Sequence, residues 1–255
     1  MNESIPPVEA LEKPTQPKTE GSIRGFEWWR RTFQYKTGLG LTPTEKKQYE
    51  NDYEFVLQRK QCNDCYKYRD WILQYSPTVI FMAQQIARLN SGGGGKDDSF
   101  EKSGDQAVLK FDESKIICDV CPEWRSGGFH PELGILLCQN RIRDKWHLED
   151  TLAHEMVHYY DNTRWMVDWL DLKHHACSEI RASSLSGECR FMQEFARRGL
   201  GFKVNRGHQE CVRRRATLSV MGNPNCKNEQ HAQKIVDEVW DSCFGDTRPF
   251  EEIYR

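Results

Sequence analysis

The sequence predicts an α+β fold: a small antiparallel sheet followed by several helices, with disulfides as staples. Three observations predict it. Short β-type runs bounded by turn residues occur in "AVLKFDESKIICDVCPE" and "GGFHPELGILLCQNRI". The hydrophobic period then changes from two to about 3.6 at "HLEDTLAHEMVHYYD". Finally, ten cysteines are spread along the whole chain, an even number that favours an oxidising compartment and disulfides.

The elements follow in order. Residues 1–24 read as a disordered tail rich in Pro, Glu, Thr and Lys. Residues 25–90 read as a helical region that starts at "FEWWRRTFQYKTGL", with Phe26, Trp29 and Phe33 on one face. That Trp-rich stretch suits either a membrane-interface anchor or a packed core. Pro77 marks the start of a later helix, with core contacts expected from Ile80, Phe81, Ala83 and Ala87, and from Phe33 upstream. Residues 91–106, "SGGGGKDDSFEKSGDQ", read as a flexible low-complexity loop.

Residues 107–255 carry the sheet and the remaining helices. Leu133, Ile135 and Leu137 alternate with Gly134 and Leu136, so one strand face is apolar, and "GILLCQ" is placed as an edge strand able to pair with an extended peptide. Beyond the "HLEDTLAHEMVHYYD" helix, Val167 to Arg198 is helical with a break near Gly187. Two more helices flank the "GNPNCKN" turn.

Charge and targeting signals exclude several classes of function. With 36 basic and 38 acidic residues the net charge is -2, which gives no broad field for nucleic acid, and no nucleic-acid partner is expected. The first residues lack both the apolar core of a secretory signal and the Arg-rich face of a mitochondrial presequence. The apolar run "TVIFMA" is too short to cross a bilayer. These signals alone read as cytosolic, against the cysteines. The pairs Cys62/Cys65 and Cys118/Cys121 offer a rival four-thiolate zinc site, but their long separation and six further cysteines favour disulfides.

The chemistry centres on H-E-x-x-H at His154, Glu155 and His158. Residues i and i+4 of a helix share a face, so both histidines can reach one metal ion, and Glu155 stands where a general base would act. Leu152, Ala153, Met156, Val157 and Tyr160 form a separate apolar face. A catalytic zinc needs a third protein ligand and an open position. Asp161, Asp168, Asp171, His174, His175 and Glu179 are the candidates. Asp161 is placed as a residue that orients a histidine. Glu179, on the returning helix "HHACSEIRASSLSG", is preferred, with His175 as the rival. Cys177 and Cys189 flank Glu179 and can cross-link its helix. "VRRRA", Arg213 to Arg215, suits either the binding of anionic lipid or a carboxylate, or a solvated basic face, and the solvated face is preferred. An oxyanion donor is expected too, with His208, Tyr159 and Arg181 as the alternatives and none of them preferred.

Longer stretches carry a resemblance. "HLEDTLAHEMVHYYDNTRWMVDWLDLKHHACSEIRASSLSGEC", "CNDC", "CVRRRA" and "DTRPF" resemble the mitochondrial inner-membrane zinc metalloprotease family that processes the ATP synthase subunit 6 precursor. The likeness runs from about Gly38, leaving out the Gly-rich loop and the tail. It implies a compact zincin-like metallopeptidase, with Zn2+ on His154 and His158 and Glu155 as the catalytic base. It also implies a peripheral position on the intermembrane-space side of the inner membrane. The expected partners are the subunit 6 precursor, assembly intermediates and the membrane surface. A second role as a chaperone for the ATP synthase membrane sector is implied too. The alternative is an assembly scaffold whose zinc is structural. Import by the intermembrane-space disulfide relay would reconcile the cysteines with the missing presequence.

Overall fold

A computed structural model describes residues 23–91, 111–122, 125–189 and 204–251. The expected tail falls almost wholly outside them, as does the Gly-rich loop beyond Ser91. The chain divides into two compact units, residues 1–63 and 64–255, with the boundary inside helix α2 (Pro43–Tyr75).

In the first unit, α1 (Gly25–Thr37) packs one aromatic face on the start of α2. Trp28 and Tyr35 stack on Tyr49 with ring centroids 5.0 and 4.6 Å apart, and Arg31 donates to Asp52 at 2.7 Å. A reciprocal cap starts α2: the Thr42 amide donates to Glu45 at 2.8 Å and the Glu45 amide to the Thr42 hydroxyl at 3.3 Å. Phe26, Trp29 and Phe33 do share a face, but it is the outer one. They are 71, 61 and 54% exposed and stack on each other along the helix. Phe33 is therefore not the core residue that was expected.

In the second unit, α3 (Pro77–Asn90) starts where Pro77 predicted, with the Ser76 hydroxyl accepting from the Val79 amide. Its buried side is Val79, Met82, Ile86 and Ala87, so of the expected set only Ala87 is fully buried. Ile80, Phe81 and Ala83 are half-buried.

The sheet holds β1 (Ile116–Asp119), β2 (Gly127–His130) and β3 (Gly134–Cys138) in the order β1-β3-β2. It corrects two expectations. The sheet is mixed rather than antiparallel, because β1 runs parallel to β3 and only β2 runs antiparallel to it. β3, the "GILLC" strand, is central, so it cannot accept a peptide at an edge. The short β2–β3 hairpin occupies one side of β3, which leaves β1 the other side. Gly134 takes φ +93° there, and a Cβ on it would stand 2.3 Å from the Lys115 carbonyl oxygen, a position only glycine tolerates.

Among the described residues four further helices belong to this unit: α4 (Lys145–Trp165), α5 (Leu172–Leu185), α6 (Val204–Met221) and α7 (Glu229–Phe244). One core joins Ile72, Met82, Ile86, Ile135 and Leu137 to Leu148, Leu152 and Met156 of α4. A second joins Ala176 and Ile180 of α5 to Val212, Val220, Val236 and Trp240. The disulfides are Cys65–Cys118, Cys121–Cys138, Cys177–Cys243 and Cys189–Cys211. They split both C-x-x-C pairs, so the rival four-thiolate site does not form, and Cys62 and Cys226 remain as thiols. Among the described residues, no helix is long and apolar enough to cross a membrane.

Candidate metal centre

Helix α4 begins at Asp144, whose carboxylate accepts from the His147 amide at 2.8 Å. Its apolar face is the one the helical wheel assigns: Leu152, Ala153, Met156, Val157 and Tyr160 are all buried. His154, Glu155 and His158 line a cleft of about 820 Å³ instead. Helix α5 starts at Asp171, which accepts from the Lys173 and His174 amides. Its small buried residues Ala176, Ala182 and Ser183 let it lie close to its neighbours and bring Glu179 into the same cleft.

The structure brings His154, His158 and Glu179 together, each offering a donor atom within 4.8 Å of the others. The two Nε2 atoms are 3.1 Å apart. Glu179 Oε2 is 3.5 Å from His154 Nε2, and Glu179 Oε1 is 3.4 Å from His158 Nε2. Two facing imidazole nitrogens satisfy each other only if one is protonated, whereas a cation between them and the carboxylate satisfies all three. Two imidazoles and a carboxylate also form a donor set that zinc accepts. Burial opposes charge on Glu179, yet His158, with hydrogen bonds from the histidines, holds its carboxyl well below the usual range. For His154, burial favours the neutral ring, but Glu188 and Glu179 outweigh it and raise the pKa well above normal. The Ser219 hydroxyl donates to Glu179 Oε1 at 2.5 Å.

The outer nitrogens are supported as well. His158 Nδ1 lies 2.8 Å from Ser178 Oγ, which donates to Asp161 at 2.9 Å, and Arg181 grips the same carboxylate. Arg181 also donates to the carbonyls of Asp246 and Arg248, at 2.7 and 2.5 Å. On the other histidine, His154 Nδ1 lies 3.3 Å from Glu188 Oε1. Trp169 closes one wall, edge-on to His158 at 5.5 Å, with its indole N–H on Asn162.

Glu155 sits between the histidines and strand β2. Burial pushes its carboxyl up, against the pull of His154 and His158. Such a shift moves a carboxylate toward the range of a general base. A Cβ on Gly127 would stand 2.8 Å from Thr151 Cγ2 and 3.2 Å from Glu155 Oε1, so glycine is what lets β2 approach the glutamate. β2 lines the cleft, and its outer edge has no strand partner among the described residues.

The Peptidase M76 family model matches residues 63–251, from within α2 through the last described turn. The chain belongs to that family. Its activity class is accordingly that of a peptidase. It is similar over its full length, at 72% identity and with the whole of both chains covered, to the mitochondrial inner membrane protease ATP23 of Kluyveromyces lactis. The Eremothecium gossypii protein of that name is 67% identical, covering 99% of this chain and 98% of its own. The Saccharomyces cerevisiae one is 66% identical over 93% of this chain and 99% of its own. No solved structure matches.

The other predicted site residues fall elsewhere in the peptidase. His175 stays outside the three-residue group: its Nδ1 takes the Asn223 amide at 3.0 Å and its Nε2 is 3.5 Å from Glu179 Oε1. Asp161 acts on His158 only through Ser178. Asp171 is a helix cap, and the Asp168 amide bonds His174. The three suggested oxyanion donors do not line the cleft. His208 bonds Ser184 and the Cys189 carbonyl, Tyr159 packs on Phe129, and Arg181 is committed to Asp161. The reading of "VRRRA" as a solvated face is corrected at Arg215, which donates twice to Glu188, at 3.2 and 2.7 Å. Sequence reasoning missed Glu188, Ser219 and Gly127. The only local signal for Glu188 was its place next to Cys189.

Proposed function

We propose that this peptidase is a zinc-dependent metalloendopeptidase, with His154, His158 and Glu179 as metal ligands and Glu155 as the general base. The observation that carries the reading is the buried Glu155 carboxylate beside three converging donor atoms at the floor of an open cleft. Bound zinc would supply a Lewis acid and lower the pKa of a water ligand to about 7. The protein's own residues do the rest. The unpaired edge of β2 offers backbone groups to an extended substrate. Glu155 takes a proton from the attacking water and returns it to the leaving amine nitrogen. Ser178 and Asp161 fix the His158 ring, and Ser219 fixes Glu179.

The names of the relatives, and the resemblance seen in the sequence, support a place at the mitochondrial inner membrane, on its intermembrane-space side. The disulfides suit that compartment, and the exposed Phe26, Trp29 and Phe33 edge of α1 suits contact with the membrane surface. In this reading the substrate is the N-terminal segment of the ATP synthase subunit 6 precursor. A second role, as a chaperone for the ATP synthase membrane sector, needs the cleft but not hydrolysis. One variant separates the roles. Glu155→Gln should keep zinc, stop processing of the precursor by a factor of at least about 10², and leave assembly intact. Continued processing by that variant would show that Glu155 is not the base. Loss of assembly together with processing would remove the separate chaperone role.

A further inference from the structure

Glu188 is a buried carboxylate beside the centre for which the proposed chemistry has no task. Its Oε1 stands 3.3 Å from His154 Nδ1. That nitrogen is buried and has no aligned hydrogen bond, although it faces a carboxylate. A histidine that ligates through Nε2 carries its proton on Nδ1, and ligand histidines usually give that proton to a carboxylate or carbonyl, which fixes the ring. Glu188 Oε1 is the acceptor placed beside it, within reach of a small turn of the ring.

The carboxylate is not free to wander. Arg215 donates to both of its oxygens, at 3.2 and 2.7 Å, in a two-pronged grip suited to guanidinium. The Cys189–Cys211 disulfide joins the same two segments next to Glu188 and one helical turn before Arg215. An ion pair serving stability alone would not need one oxygen turned toward a ring nitrogen of His154.

We propose that Glu188 is a positioning residue for His154, orienting its ring through Nδ1, and that Arg215 holds Glu188 in that place. This inference rests on the reading of His154 as a metal ligand. The test is zinc titration of the oxidised full-length apo chain against a competing chromophoric chelator. Glu188→Ala should bind zinc about 10- to 100-fold more weakly. Glu188→Gln, isosteric and still presenting an acceptor oxygen, should recover part of that loss, a rescue that packing alone would not predict. Arg215→Met should weaken zinc binding by itself but add nothing in the Glu188→Ala background. Unchanged zinc affinity in Glu188→Ala would overturn the proposal, as would a Glu188→Gln variant no better than Glu188→Ala. Should Glu188→Ala fail to fold, Glu188→Met, similar in volume but without an acceptor oxygen, takes its place, and zinc affinity equal to the parent's in that variant overturns the proposal. Additive losses would show that Arg215 does not act through Glu188. If the parent chain itself bound no zinc, the metal-centre reading would fail instead.

Discussion

His158 is steadied from within the α4–α5 pair, whereas His154 is met by groups that lie outside it. Behind His158 stand Ser178 and Asp161, one from each helix, and Arg181, whose side chain is 2% exposed like that of Asp161. Behind His154 stand Glu188, in the segment after α5, and Arg215, whose side chain is 44% exposed. The first support is inseparable from the packing of the fold. The second is a peripheral arm, fastened by an ion pair and a neighbouring disulfide. Two histidines of one cluster can thus depend on different parts of the chain, so damage behind His158 should show as instability together with weaker metal binding, and damage behind His154 as weaker metal binding alone.

The sharpest test of that contrast is Asp161→Ala. Burial pushes the Asp161 carboxyl up even though Arg181 and Ser178 pull it down, the mark of a pair that barely offsets its own desolvation. Removing Asp161 leaves the buried Arg181 with Asp246, 2.8 Å away, as its remaining carboxylate, so a loss of about 3 kcal/mol, the low end for a broken buried pair, is expected in denaturant unfolding. A loss below about 1 kcal/mol would erase the distinction between the two arms. Ser178→Ala should be milder. It breaks the link between Asp161 and His158, costing about 1 kcal/mol of stability and about tenfold in zinc affinity by chelator competition. Unaltered zinc binding would mean that His158 needs no support.

The smallest effect is expected at Asp171, the cap of the helix that carries both Ser178 and Glu179. Asp171→Ala should cost about 1 kcal/mol. The backbone amides of His174 and Lys173 hold the Asp171 carboxyl below its ordinary value. A depressed carboxyl stabilises above its unfolded pKa of about 3.9, and that contribution disappears as pH falls through the folded value. The gap in melting temperature between parent and variant should therefore be widest near neutral pH and shrink in acid. A gap that widened in acid would contradict the assignment.

Helix α4 was legible in the sequence because both of its periodicities are local: the buried face from Leu152 to Tyr160 and the histidine pair at i and i+4 can be read from neighbouring residues alone. Caps and helix starts such as Pro77 were legible for the same reason. The order of the strands was not, since nothing in "IICD" says which edge of β3 it will take. That choice is made across the fold, where Cys65–Cys118 ties β1 to α2. Phe26, Trp29 and Phe33 show the same limit, because spacing assigned them a shared face but not whether that face is inner or outer. Glu188 was invisible because it meets His154 only after α5 has folded back. Spacing linked Asp161 to His158, and the structure joins them only through the hydroxyl of Ser178, which lies on another helix.

Arg181 finds its carbonyl acceptors 65 and 67 residues further along the chain, and Cys177 finds Cys243 66 residues on. Ribosomes build proteins from the N-terminus. A chain that has reached Glu179 already has every expected metal donor, yet lacks the backbone that anchors Arg181 behind His158. The support behind His158 is therefore complete only once the segment around Arg248 has been made, well after the three converging donors themselves.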